Sequence, residues 1–343
     1  MIKPLTSLRF FFAFFVFLSH LQGIKTDNIL FQWLTRNIFF EGYLGVSFFF
    51  ILSGFVISYS YAKKINSSKF TSFQFYKARM FRIYPLYILT TILGVVTVIH
   101  TPSLSTWLIN IFAIQSFLPT INEHVMNAPS WSISNEFFFY LCFPLLYPLI
   151  EKNKKSSIII IISSCIILFS TPLFFSEVNQ KFIFYIHPLS RLLDFSLGIL
   201  LFHLYQLIQK RDLKRINFTT WESLALLFFI LTFLPHHAIP RMFRFSVYYW
   251  LPMSAIILVF ALQRGHFSKL LQNRILVYLG EISFSFYLMH LIVINTLLPL
   301  LPINNPFTSL IIILIAVVFF SIILFEYFEK PVNTLLKRKF LHS

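Results

Sequence analysis

Apolar stretches close to the length of a membrane-crossing helix recur from one end of this 343-residue chain to the other. About 20 such residues in a helix cover a hydrocarbon core of roughly 30 Å. Inside hydrocarbon every backbone N–H and C=O needs a partner within the protein, so only helices or a closed barrel can span it. The runs here are continuous, whereas barrel strands alternate apolar and polar residues, and the barrel is excluded. Composition agrees, with 57% of residues hydrophobic and 12% charged, against about a quarter charged in soluble domains. The fold class is therefore all-α, a polytopic integral membrane protein expected to form one membrane domain over residues 1–343. The expected transmembrane helices are ten: residues 5–24, 39–61, 84–100, 131–150, 157–175, 188–208, 219–234, 246–263, 276–299 and 306–327.

One further apolar piece, 104–118, contains Asn110 and Gln115 and, at about 15 residues, is short for a crossing. Charge distribution decides its placement. If it does not cross, both termini are cytoplasmic, with 22 Lys and Arg inside, 5 outside (Lys25, Arg36, Lys181, Arg241 and Arg244) and Arg191 embedded. If it crosses, everything after it flips, and the tally becomes 11 inside against 16 outside. Cytoplasmic loops carry the excess of Lys and Arg, so 104–118 is expected to be a re-entrant or interfacial segment. The formal charge of +16 lies in these short clusters between apolar runs, which is membrane topology and not a nucleic-acid surface. Cys142 and Cys165 both fall inside apolar runs without metal-ligand spacing, so no metal is expected. The first run follows Lys3 as a signal peptide would. It carries Ser19, His20 and Gln22, however, with no small-residue cleavage site, and is read as a retained span. About 15 residues follow the last span, so by the usual size of a domain no second, soluble one is expected.

Ionisable residues at membrane depth cost at least a few kcal/mol each and by default mark function. Arg9 and His20 lie eleven residues apart on the first span. At 100° per residue they point within about 20° of each other, roughly 16 Å apart along the axis. The other reading is an arginine snorkelling to lipid phosphates and a hydrogen-bonded core histidine. Arg79 and Arg82, in FYKARMFRIYP before the third span, share a helical face by their i, i+3 spacing. Two planar guanidiniums side by side suit a phosphate-bearing ligand, or an anchor on anionic lipid.

Trp131, Ser132 and Glu136 open the fourth span in WSISNEFFFY, after Pro129. A carboxylate there must be paired, protonated or hydrated, and an ion pair with Arg191 is one solution. Arg191 and Asp194, in RLLDFSLG, have the spacing to bridge each other instead. His290 lies midway along the ninth span, in YLGEISFSFYLMH, and reads either as a site residue or as a packed core histidine. Glu326 and Glu329 close the tenth span near Pro331, where a helix-terminal or interfacial role suffices.

The vertical distribution matters more than any single position. With ten spans, Arg9, Arg79 and Arg82 are cytoplasmic, whereas His20, Glu136 and Arg191 fall in the outer half. A buried histidine and a carboxylate are what general-base chemistry on a hydroxyl needs. An arginine cluster on the opposite side is what an anionic, phosphorylated donor needs.

In order and spacing the motifs resemble the acyltransferase-3 family of bacterial inner-membrane acyltransferases, which includes O-antigen and exopolysaccharide O-acetylases. The matching pieces are LRFFFAFFVFLSH (Leu8 to His20), GYLGVSFFFILSGF (Gly42 to Phe55), RMFRIYP (Arg79 to Pro85) and WSISNE (Trp131 to Glu136). RLLDFSLG (Arg191 to Gly198), LGEISFSFYLMH (Leu279 to His290) and FEKP (Phe328 to Pro331) complete the series. Each motif is weak alone; in order they are specific.

The resemblance implies ten core helices, acyl-CoA (usually acetyl-CoA) as cytoplasmic donor, and a saccharide or lipid-linked saccharide hydroxyl as acceptor. By carry-over Arg79 and Arg82 bind the CoA phosphates and Arg9 helps hold the donor. His20 is the essential histidine, as general base or as an acyl relay, with Glu136 orienting its imidazole. Trp131, Arg191 and His290 fall on the substrate side. Gly42, Gly45 and Gly54 are expected on one face of the second span, which would suit close helix packing or passage of a pantetheine arm. The SGNH-type domain of fused family members is not expected, which points to stand-alone members acting on O-antigen, exopolysaccharide, Nod-factor, glucan or antibiotic acceptors. Two other classes compete: a transporter or flippase of a lipid-linked saccharide without acyl chemistry, and a sensor or scaffold.

Overall fold

The computed structural model describes residues 2–66, 71–97, 101–119, 125–170, 180–211, 216–301 and 305–340. Among these residues every regular element is helical. The principal helices are α1 (Lys3–Ser19), α2 (Ile29–Asn37), α3 (Leu44–Asn66), α4 (Ser72–Gly94), α5 (Leu104–Ile111), α6 (Trp131–Lys152) and α7 (Lys154–Ser170). They continue as α8 (Pro188–Gln209), α9 (Phe218–Phe233), α10 (Trp250–Ala261), α11 (His266–Leu271) and α12 (Arg274–Glu281). The last are α13 (Ser283–Leu297), α14 (Pro306–Leu324) and α15 (Lys330–Phe340).

Seven stretches of helix are long and apolar enough to cross a membrane, and three shorter apolar helices lie at 157–166, 218–233 and 247–261. Each coincides with one of the ten apolar runs, so the protein is an all-α polytopic membrane protein. Residues 98–100 and 171–175, the far ends of two expected spans, lie outside the described residues. Over 104–118 the chain forms only the eight-residue α5 and a 3₁₀ turn at Gln115–Phe117. Eight helical residues rise about 12 Å, well short of a hydrocarbon core.

Four boundaries differ from the sequence reading. The third span and the basic stretch before it are one helix, α4, which runs through Pro85. Proline has no N–H for the Phe81 carbonyl. That single loss is offset by burial of Ile83, Leu86 and Tyr87 on either side of it. The second span starts only at Leu44, because Phe39–Tyr43 is wound as a tighter 3₁₀ turn. The ninth is broken at Ile282 into α12 and α13. The tenth ends at Leu324, passes through a π turn at Phe325–Glu329, and gives way to the basic α15. A helix not anticipated, α2, is started by Asn28, whose Oδ1 accepts from Phe31 N at 3.0 Å.

The chain clusters into two compact units, one of Met1–Arg9, Val46–Phe70 and Phe138–Gly280, the other of Phe10–Gly45, Thr71–Phe137 and Glu281–Ser343. In the first unit α3 and α8 approach at Gly54 and Gly198. A Cβ on Gly54 would strike the Phe195 carbonyl, and one on Gly198 the Ile51 carbonyl. Phe139 packs there on Phe50 at 5.0 Å and on Phe195 at 5.1 Å between ring centroids. Glu222 of α9, fully buried, accepts from the Phe267 and Ser268 backbone N–H groups (2.9 and 3.2 Å) and from the Ser268 hydroxyl, capping α11.

In the second unit the C-terminal part of α1 packs on α13, with Phe286 against Phe10 and Phe17 at 5.4 and 5.8 Å. Gly42 and Gly45 let their segment approach the Phe15 and Phe12 carbonyls. Gly54 serves close backbone packing likewise in the first unit. The three glycines do not share one face as expected: Gly42 precedes α3, and nine residues at about 100° each set Gly45 and Gly54 on opposite sides of it. The polar residues of 104–118 are absorbed by their neighbours. Tyr87 Oη donates to the Asn110 carbonyl at 2.5 Å, Gln115 Nε2 donates to the Ser130 carbonyl at 3.1 Å, and the Ser116 and Ser134 hydroxyls lie 2.6 Å apart. The short segment thus braces the start of α6.

Candidate active site

The site forms around His20, in the second unit. α1 ends at Ser19 with a tightened turn, His20 N–H donating to the Phe17 carbonyl at 3.0 Å, and the backbone leaves the helix at His20 (φ −97°, ψ 1°). The imidazole is half-buried, its Nδ1 lying 3.0 Å from the Val16 carbonyl and 3.3 Å from Nε2 of His290. His290, on α13, is fully buried, and its Nδ1 lies 2.5 Å from the Tyr287 carbonyl. A carbonyl only accepts, so in the neutral pair each Nδ1 carries the hydrogen. His290 then offers its Nε2 lone pair to His20 N–H, and the remaining lone pair of His20 sits on Nε2. The two rings, 4.9 Å apart between centroids, form a directed chain that runs from the Tyr287 carbonyl through His290 to His20.

A hydroxyl cluster adjoins this chain. The Tyr287 ring lies 5.7 Å from that of His290, and its Oη lies 2.9 Å from Ser132 Oγ, at the start of α6. Both hydroxyls reach the Pro129 carbonyl, at 3.2 and 3.0 Å. Glu136, one turn after Ser132, is half-buried and close enough to Tyr287 for its charge to act there. Trp131, half-buried, is the first residue of α6. Asn127, buried, donates from Nδ2 to the Leu288 carbonyl at 3.0 Å and holds the approach to α6 on α13.

Arg79 and Arg82 belong to the same unit, one turn apart on α4, the first half-buried and the second exposed. Arg9, half-buried on α1, falls within the first unit, as does Arg191. Arg191 was expected on the substrate side. It is fully buried, with Nη1 donating to the Phe245 carbonyl and Nη2 to Ser47 Oγ, both at 2.7 Å, and with Asp194 at 3.1 Å. Asp194 also accepts from Ser246 Oγ at 2.9 Å and Trp250 Nε1 at 2.5 Å. The i, i+3 bridge of the sequence reading is formed, and this cluster fastens α8 to the 245–250 segment. His290, also expected at the substrate, has both ring nitrogens engaged within the protein. Among the described residues no group of three His, Cys, Asp or Glu could hold a metal ion.

The family model of an acyltransferase domain matches residues 3–326. The chain belongs to the acyltransferase-3 family. It is 31% identical to the acyltransferase MdmB of Streptomyces mycarofaciens over 322 residues, covering 86% of this chain and 79% of that protein. It is also 49% identical to protein 2 of the picA locus of Rhizobium radiobacter, over 49 residues that cover 14% of this chain and 26% of that one. No solved structure matches. For this acyltransferase, the sequence singled out His20 and His290 separately but not their contact, since 270 residues separate them and helical periodicity relates only near neighbours. Tyr287 and Ser132, inside two of the matching motifs, carried the available signal for the hydroxyl cluster.

Proposed function

We propose that this acyltransferase moves an acyl group, acetyl in the simplest case, from cytoplasmic acyl-CoA to a hydroxyl of a cell-surface or secreted saccharide, free or lipid-linked. The setting is the bacterial inner membrane, with both termini cytoplasmic. The observation that carries the reading is the contact between His20 and His290. Val16 and His290 occupy the Nδ1 side of His20, which supports Nε2 as the nitrogen that meets the acceptor.

His20 Nε2 takes the acceptor's hydroxyl proton as that oxygen attacks the thioester carbonyl carbon. The tetrahedral adduct collapses with cleavage of the C–S bond, and the thiolate takes the proton from His20 and leaves as free CoA thiol. His290, accepting from His20 Nδ1–H throughout, fixes the tautomer and stabilises the imidazolium, as the acidic partner of a catalytic histidine does elsewhere. Glu136 adds negative charge beside the Tyr287–Ser132 pair, which favours the same imidazolium. Arg79 and Arg82 hold donor phosphates, with Arg9 assisting, and Trp131 lies on the acceptor side.

A flippase of lipid-linked saccharide would need neither a base nor a donor site. Deleting the gene separates the two readings. The acyltransferase reading expects normal amounts of surface saccharide stripped of O-acyl groups. Loss of the saccharide itself, with acylation intact on what remains, would favour transport.

A further inference from the structure

Beyond the arginine pair, the second unit gathers a third cation from the far end of the chain. α15 packs along the first half of α4, with the Phe340 ring on the Phe81 ring at 5.6 Å between centroids. Phe81 lies between Arg79 and Arg82 in sequence, and Lys337 lies one turn before Phe340, so α15 runs beside the turn of α4 that carries the arginine pair. Lys337 remains exposed at the surface. Partial burial, and after it the charges of Arg82 and Arg79, push its ammonium group down from the ordinary lysine value. The lysine belongs to the basic helix beyond α14, outside the apolar crossing.

Three like charges drawn together repel unless an anion joins them. Among the described residues no carboxylate forms an ion pair with Lys337 or Arg82. An ordinary positive-inside tail has no reason to turn back onto another basic segment, because its charges are better separated in water or against lipid headgroups.

We propose that Lys337 is a donor-binding residue, completing with Arg79 and Arg82 a three-cation seat for the phosphates of the CoA-type donor. This rests on the donor site assigned above to the arginine pair. The two guanidiniums supply planar, two-pronged contacts, and the ammonium supplies a compact charge on a flexible stem. The tail after the last crossing then takes part in donor recognition instead of serving topology alone.

The test is acetyl-CoA binding to the full-length protein in nanodiscs of zwitterionic lipid, repeated with anionic lipid added. Lys337→Ala should weaken binding about ten- to a hundredfold, on the scale of a charge-assisted contact, and Lys337→Glu should weaken it further. Lys337→Arg should bind within about twofold of the wild type, a difference well under 1 kcal/mol. In turnover assays the alanine variant should raise the donor KM and leave kcat near the parent value, the signature of lost binding shared by ground and transition states. Unchanged acetyl-CoA affinity in Lys337→Ala and Lys337→Glu, while Arg79→Ala/Arg82→Ala binds weakly, overturns the inference and leaves the arginine site standing. A loss confined to anionic-lipid binding overturns it in favour of a headgroup contact. Normal affinity in the double arginine variant removes the donor site itself, and the inference with it.

Discussion

Nε2 of His290 and Nδ1 of His20 meet at 3.3 Å, joining the middle of α13 to the end of α1. The Tyr287 carbonyl fixes the proton on the far side of His290, so the contact has a direction, and it places the His20 lone pair on Nε2.

This direction predicts the effect of altering the second histidine. His290→Ala should lower kcat about a hundredfold or more, in the range of general-base contributions, with donor affinity unchanged. His290→Gln, whose amide oxygen accepts from His20 Nδ1–H, should recover part of the loss and shift the pH profile of kcat. Steady-state kinetics with size-exclusion profiles of both variants check this. Full activity in His290→Ala would remove the orienting role.

The buried Arg191–Asp194 pair predicts a stability effect. Asp194→Ala should cost about 3–5 kcal/mol, because it strands a buried guanidinium, while replacing both residues by apolar ones of similar volume should restore much of that. Unfolding of detergent-solubilised single and double variants measures the coupling. Equal losses for the single and the double variant would contradict it.

Gly54 and Gly198 face each other's helix backbone at the approach of α3 and α8. Gly54→Ala and Gly198→Ala should each destabilise by about 1–3 kcal/mol or more, the cost of overpacking where the obstacle is backbone and cannot rotate away. Melting temperatures relative to the wild type give the answer, and unchanged melting would show that the approach can widen freely.

Topology is tested at Asn153, between α6 and α7. With Cys142 and Cys165 replaced by alanine, Asn153→Cys should resist a membrane-impermeant thiol reagent in intact cells and react after permeabilisation. Labelling in intact cells would reverse the orientation of every span after 104–118.

Much of this was legible in the sequence, for local reasons. Spans near 20 apolar residues announce themselves by length, and the shortness of 104–118 together with the placement of 28 basic residues excluded an eleventh crossing. Arg79 and Arg82 were paired correctly because i, i+3 spacing is a property of one helix. Continuity of α4 through Pro85 and the break at Ile282 were not legible, since each depends on what packs around the backbone. The same holds for the meeting of His20 with His290 and of Lys337 with the arginine pair. Lys337 was hidden further by its setting, because basic residues after a last span look like ordinary topology signals. For Arg191 the spacing offered its Asp194 partner one turn away, but not the Phe245 carbonyl or Ser47, which are distant in sequence.

The central claim is acyl transfer centred on His20, and the most direct measurement is transfer of labelled acetyl from acetyl-CoA to saccharide in membranes. Wild-type membranes should label the saccharide, and membranes holding an equal amount of folded His20→Ala should show background only, without labelled protein accumulating in either. Equal labelling of saccharide by both would contradict the account.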